Sequence, residues 1–229
     1  MDEPRSKTDK NVSAGNADVL GAALTPEGVN FALSSRHAER VVLELFDAPD
    51  GEPTDVIPLP GRSGDVHHAH VRGVGAGQMY GYRVFGDYLP AEGKRFNHAK
   101  RLIDPYAKAF AGDYDHRDRL LFAYDLKAPD QDLVADHRDN GRGVPKAPAP
   151  ASGVNRHGDE SGKLPATPWV IYETHVKGFT AHPSSGVTHP GTYLGMIEKI
   201  PYLKALGVNA VELLPVHACF VSRNLLDRG

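Results

Sequence analysis

Val170-Ile-Tyr-Glu-Thr-His-Val176 and Asn209-Ala-Val-Glu-Leu-Leu-Pro-Val216 are the two stretches on which the fold turns. Each is a short run rich in Val, Ile and Leu, of strand length and flanked by turn residues. Between them Leu194, Ile197, Ile200, Leu203 and Leu206 recur every three or four residues, and Gly207 follows where a helix would end. The order is strand, helix, strand. A crossover helix returns the chain to the same end of the sheet, so the two strands are predicted to be parallel. Parallel strands are covered on both faces, which accounts for runs that are almost continuously apolar instead of alternating. Pro201 would break a helix interior. It fits as a first-turn proline, with a firm helix over 201–206 and a looser turn over 193–199 before it.

Toward the amino terminus the period changes to two. Candidate strands are 29–34, 40–46, 56–59, 66–71 and 79–85, separated by the Gly/Pro clusters at 48–53, 60–64 and 73–77. Short strands about ten residues apart predict an antiparallel β-sandwich of immunoglobulin-like type. The expected organisation is therefore multi-domain: a polar start over 1–18, the sandwich over 19–112, a connector over 113–167 and the strand-helix-strand unit within 168–229. The connector carries Val144-Pro-Lys-Ala-Pro-Ala-Pro150 and a polar Gly/Ser stretch over 152–162, too poor in apolar residues to offset ordering entropy.

Bulk properties agree with this plan. At 229 residues, 40% apolar and 24% charged, the chain has enough material for one large or two small cores. A net charge of -3 offers no concentrated basic face, so neither nucleic acid nor an acidic membrane is expected as a partner. One cysteine, Cys219, allows no internal disulfide and no CxxC metal site. No apolar run approaches the ~18 residues of a membrane span, and Met1 to Asp18 lacks the apolar core of a secretory signal. A soluble cytoplasmic protein is expected.

The residues also carry a resemblance. Val170 to Thr180, then His189-Pro-Gly-Thr-Tyr193, then Tyr202 to His217 resemble the opening of the (β/α)8 TIM barrel of the alpha-amylase family, glycoside hydrolase family 13. Within it they are most similar to bacterial glycogen debranching enzymes of the isoamylase type. Thr25-Pro-Glu-Gly-Val-Asn-Phe-Ala-Leu33, Gly81-Tyr-Arg-Val84, Arg95-Phe-Asn97 and Leu102-Ile-Asp-Pro-Tyr-Ala-Lys108 resemble the amino-terminal sandwich of those enzymes, grouped with family 48 carbohydrate-binding modules. The resemblance implies hydrolysis of α-1,6-glucosidic branch linkages in glycogen or a related branched α-glucan, by a retaining mechanism without a cofactor. Branching enzymes, pullulanases and trehalose-releasing hydrolases open in the same way and remain alternatives.

Retaining hydrolysis needs two carboxyl groups about 5–5.5 Å apart across the anomeric carbon. The resemblance places them at the fourth and fifth barrel strands, with a third carboxylate after the seventh. A whole barrel takes about 250 residues, whereas only about 60 follow Trp169. The nucleophile and the acid/base are therefore expected beyond Gly229. No catalytic residue is assigned within the chain, because Glu173, Glu212 and Asp227 do not match those positions. The expectation is an amino-terminal piece of a larger enzyme, inactive alone, whose barrel strands lack cover. Glu173 and Glu212 are expected to face packed layers or pair there.

Other residues invite chemistry. His175 and His217 stand near the carboxyl ends of the two strands, where barrels build their sites. Each reads either as a substrate contact or as a packing and orienting residue. Tyr80 and Tyr82 share a strand face and could stack on a sugar, though core packing is the competing reading. A non-catalytic glucan-binding protein is the rival functional class, and a purely structural sandwich another. His68 and His70 share a face but lack a third ligand, so no metal site is expected there. Asp113, Asp115 and Asp118, with Tyr114 and His116, form an acidic cluster without calcium-loop spacing. Gly73, Gly75 and Gly77 read as a hairpin turn, since no helix follows them.

Overall fold

A computed structural model describes residues 7–114, 119–141, 143–151, 168–217 and Arg228. Apart from Arg228, these divide into a first compact unit up to residue 151 and a second over 168–217. Asp115, His116, Asp118, Cys219, Asp227, Gly229 and the Gly/Ser stretch after residue 151 lie outside the described residues.

The first unit is built from β1 (Val12–Ser13), β2 (Gly21–Thr25), β3 (Gly28–Ser34), β4 (Arg40–Phe46), β5 (Asp55–Pro58), β6 (Gly61–Ser63), β7 (Val66–Arg72), β8 (Met79–Phe85), β9 (Tyr88–Leu89), β10 (Lys94–Arg95) and β11 (Ala147–Pro148). Its pairings are antiparallel and make two main sheets. One runs β1-β7-β3-β2 with β6 added to β7, and the other runs β11-β8-β4-β5. The period-two residues Val29, Phe31 and Leu33 of β3 and Val71 of β7 enter one buried cluster with Val41, Leu43 and Leu45 of β4 and Tyr80, Tyr82 and Val84 of β8. The two inner faces thus share a core, as a sandwich requires. All five predicted strands are present with ends within a residue. Gly61 to Ser63, read as turn, instead extends the sheet as β6; a Cβ on Gly61 would lie 2.2 Å from the His68 ring, so only glycine lets this strand pass.

The outer face of β4 and β8 is covered as well, against expectation. Residues 119–151, read as connector, fold onto the sandwich. Val144, Ala147 and Ala149 are buried in its neighbourhood, and β11 pairs with β8 through Ala147 opposite Tyr80. Polar side chains hold this covering in place. The Lys100 ammonium donates to the Leu120 and Arg138 carbonyls, both at 2.8 Å, and to Asp136. Asn97 Nδ2 donates to the Ala123 and Asp136 carbonyls, and the Asn140 amide pairs with the Arg101 backbone in both directions. The first unit therefore continues well past the boundary expected at residue 113.

The second unit begins with β12 (Ile171–Thr174), followed by α1 (Val176–Thr180), α2 (Tyr193–Glu198), α3 (Ile200–Ala205) and β13 (Ala210–Leu213). β12 and β13 pair in parallel, with Ile171 opposite Ala210 and Thr174 opposite Leu213. Gly207 adopts a φ of 82° just after α3, as a helix C-terminus favours. The predicted looser turn is a short helix, α2, whose Thr192 cap accepts from the Gly195 N–H at 3.2 Å. Pro201 stands in the first turn of α3. This unit buries little. Leu203 is enclosed, yet Ile171 is 59% exposed, Ile197 58% and Trp169 54%. No helix among the described residues is long and apolar enough to cross a membrane.

Candidate functional site

The carboxyl ends of β12 and β13 carry the two histidines singled out from the sequence. His175 follows β12 directly and has extended backbone angles, which turn the chain into α1. Its Nδ1 accepts from the Gly178 N–H at 3.1 Å, so the ring caps the helix. A neutral ring with Nδ1 accepting carries its proton on Nε2, and that N–H faces away from the cap. His217 lies four residues beyond β13 and is exposed.

The carboxylates of this unit are differently placed from the expectation. Glu173 and Glu212 are directly opposite each other across the parallel pair, and both are exposed instead of facing packed layers. Two like charges opposed on adjacent strands repel, and solvent is what makes the arrangement tolerable. Glu198 is committed to its own loop. It accepts from the Thr188 N–H at 2.8 Å, the His189 N–H and the His189 ring, and the backbone bond to Thr188 leads in holding its carboxyl below the usual range. The catalytic pair, expected beyond Gly229, falls outside the described residues, as Gly229 itself does.

Tyr80 and Tyr82 are not on the surface. Both rings lie in the sandwich core, 1% and 0% exposed, with centroids 5.7 Å apart in an edge-on arrangement, and Phe31 packs against Tyr80 at 5.0 Å. Neither ring can stack on a sugar from this position. The pleat explains the correction: alternate residues of β8 share a face, and that face is the one turned to the opposite sheet. Tyr80 donates to Asp104 Oδ2 at 2.7 Å. Burial pushes the Tyr80 phenol and the Asp104 carboxyl both upward.

His68 and His70 of β7 are each tied to a hydroxyl. His68 is buried beneath β6 with Nε2 2.9 Å from Ser63 Oγ, while the His70 Nε2 is 2.8 Å from Thr25 Oγ1. Their hydroxyl partners are separate, and no group of three metal-ligating residues occurs among the described residues.

Sequence reading missed a buried charge cluster on the outer face of β4 and β8. Glu44 accepts from Arg83 Nε at 2.7 Å through one oxygen and from Arg101 Nε at 2.6 Å through the other. Arg83 also reaches Asp139 at 2.7 Å. Lys146 is fully enclosed, donates to the Gly141 and Val144 carbonyls and sits 5.1 Å from the Phe46 ring centroid. Burial, aided by Arg101, lowers its ammonium to about 8. The missed signal is the run of single charges at strand positions between apolar ones, such as Glu44 between Leu43 and Leu45. An aromatic pair was missed too: the exposed Phe122 packs edge to face against Tyr124 at 6.0 Å within the segment read as connector.

Comparison with known proteins now bears on the sandwich. Residues 19–107 match the family model described as carbohydrate-binding module 48, the isoamylase N-terminal domain. This span holds β2 to β10 and both inner faces of the core. Residues 19–107 are a module of that family.

The similarity of the chain extends further. It is 44% identical over 225 residues to a glycogen debranching enzyme of Klebsiella pneumoniae (strain 342), which covers 95% of this chain and 32% of the relative. A glycogen debranching enzyme of Salmonella typhi is 42% identical over 224 residues with the same coverages. The chain spans about a third of the length of these relatives. Among solved structures, apo pullulanase from Paenibacillus barengoltzii matches with a TM-score of 0.58 at 25% identity, over 88% of this chain and 27% of that one. The catalytic module of the glycogen-degrading pneumococcal virulence factor SpuA matches at 0.63 and 25%, over 93% and 28%.

Proposed function

We propose that the chain belongs to a glycogen debranching glycoside hydrolase, in which residues 7–151 form a glucan-associated module and 168–217 open the catalytic barrel. The observation that carries this is the 44% identity to a glycogen debranching enzyme, which runs through both units and not through the module alone. The parallel β12–β13 pair with helices between supports the second half, since a right-handed βαβ unit is the repeating element of such a barrel. In this reading the substrate is the α-1,6-glucosidic branch linkage of glycogen or a related glucan, the nucleophile and acid/base lie beyond Gly229, and the setting is cytoplasmic.

These 229 residues are by themselves inactive in this reading. The second unit offers Glu173, Glu198 and Glu212 as its carboxylates over 168–217. Two of these sit side by side on neighbouring strands and the third caps a loop. None of the three stands where the family resemblance places the nucleophile and the acid/base, which retaining hydrolysis sets about 5–5.5 Å apart. Incubation with glycogen, followed by measurement of new reducing ends, is expected to give no release above the no-protein control. Turnover by the pure chain would overturn this.

A second reading is supported by the aromatic pair: a non-catalytic glucan-binding role, with Phe122 and Tyr124 offering apolar surface to sugar rings. Retention of the chain on glycogen, lost in Phe122→Ala, supports that reading, and absence of retention sinks it.

A further inference from the structure

One histidine of the first unit is enclosed without a full set of partners. His67 lies on β7, opposite Leu33 of β3 on one side and Arg62 of β6 on the other. By the strand period it shares a face with Ala69 and Val71, which are wholly buried, and it is itself only 4% exposed. Its Nε2 is buried with no hydrogen-bond partner. A neutral ring leaves one lone pair or one N–H unmatched there, whereas a protonated ring would add a buried charge with no acceptor.

The surrounding charges make protonation harder still. Arg62 and His68 both act on the ring against a positive charge, and no carboxylate among the described residues offsets them. Arg36 and Asp65, from the adjoining turns, are paired with each other at 2.9 Å. Burial first, and then Arg62, hold the His67 ring below its ordinary 6.5, outweighing the Ser35 backbone, which favours the charge.

Arg62 has a second task. Its Nη2 donates to the Arg36 carbonyl at 3.0 Å and its Nη1 to the Ala38 carbonyl at 3.3 Å. The Ser35 N–H donates to the Asp65 carbonyl at 2.7 Å. The β6–β7 hairpin thus clasps the turn at 35–38. Ser34, Ser35 and His37 also line a cavity of about 390 Å³ at the side of the sandwich, so the turn is one of its walls.

We propose that this turn is an acid-released latch: protonation of His67 drives the Arg62 guanidinium off the Arg36 and Ala38 carbonyls, and the freed turn opens the cavity that it walls. The sign follows from linkage. A histidine whose folded value is depressed contributes stability that is present above 6.5 and lost as pH falls below it. Were the proton wholly excluded from the closed form, release at about pH 5 would be favoured over release at neutrality by at most about thirtyfold.

Amide hydrogen exchange of the isotope-labelled 229-residue chain, followed by NMR at about pH 7.5 and about pH 5 and corrected for intrinsic rates, tests the latch. Opening at the bonded Ser35 and Ala38 amides should become about tenfold easier at the lower pH. The Lys146 and Ala149 amides, bonded elsewhere in the unit, should stay unchanged. His67→Gln removes the titrating ring and should abolish the difference. Arg62→Gln removes the clasp and should leave the turn open at both pH values; it carries the test should His67→Gln not fold. Four results overturn the proposal: no acceleration at Ser35 and Ala38; equal acceleration at Lys146, which is global acid unfolding; the same acceleration in His67→Gln; or a persisting pH response in Arg62→Gln. No sugar enters the measurement, so failure here leaves the debranching reading untouched.

Discussion

Phe31, Val42 and Leu43 in the first unit are wholly buried, whereas Ile171, Val211 and Leu213, from strands just as apolar in sequence, stand open to solvent in the second. The contrast separates two things that a hydrophobic run is usually taken to report together. Composition records which faces a strand is suited to cover, and burial records what is there to cover them. In the first unit the opposite sheet covers one face of β4 and β8 and a folded-back segment covers the other. In the second, two strands of four residues and three helices of five or six leave both sheet edges unpaired among the described residues, and a two-stranded sheet is marginal alone. On the proposed reading, the remaining strands of a barrel would supply the cover.

The sharpest test sets buried positions of one unit against exposed positions of the other. Glu44→Gln should cost about 3–5 kcal/mol, because two guanidinium groups lose the charge that compensates them in a buried site. Phe31→Ala should cost a similar ~3–5 kcal/mol through the cavity it leaves. Ile171→Ala, by comparison, should shift stability by no more than about 0.5 kcal/mol. Denaturant unfolding with tyrosine fluorescence reads the first two, and hydrogen exchange at β12 reads the third. Equal costs at Phe31 and Ile171 would break the comparison.

A smaller and pH-dependent effect belongs to Lys146. Its folded value near 8 lies below the ordinary 10.5, so between those pH values the unfolded chain binds the more protons and stability rises with pH. Below about 8 both states are protonated and the slope disappears. Melting temperature should therefore climb from pH 8 toward 10.5, and Lys146→Met should flatten that rise. A melting temperature that falls across the same window in the parent and is unchanged by the substitution would contradict the burial of this group.

Local effects close the series. His175→Ala removes the cap of α1 and should loosen that helix by about 0.5–2 kcal/mol, seen as faster exchange at Gly178 and Phe179. Smallest of all, Glu212→Gln relieves the repulsion with Glu173 and should slow exchange along β12 by an amount worth a few tenths of a kcal/mol, about 0.2–0.5. Faster exchange there would mean that the two carboxylates share a stabilising contact.

Much of this architecture was legible because strand and helix periods are local. The alternation in Val29 to Leu33 and the spacing of Leu203 and Leu206 placed β3 and α3 without knowledge of neighbours. His175 was located at the strand end for the same reason. What escaped was burial achieved by charge. Lys100, Arg83, Arg101 and Asp136 look like surface residues in sequence, yet they are buried because each finds a partner from a distant segment. Such partnerships leave no periodic trace, so residues 119–151 read as connector. Tyr80 and Tyr82 escaped for a related reason: a strand shows which residues share a face, but not whether that face meets water or the opposite sheet.

The return of β11 to the edge of β8 has a consequence for how such modules travel between genes. A recombination joint placed after residue 107, where the matched family span ends, would deliver a sandwich stripped of β11 and of the carbonyls that hold Lys100. The recipient would inherit the strands without their lid, and the buried arginines would face water or aggregation. The heritable unit is therefore longer than the recognisable one, and exchange between enzymes should favour breakpoints beyond residue 151.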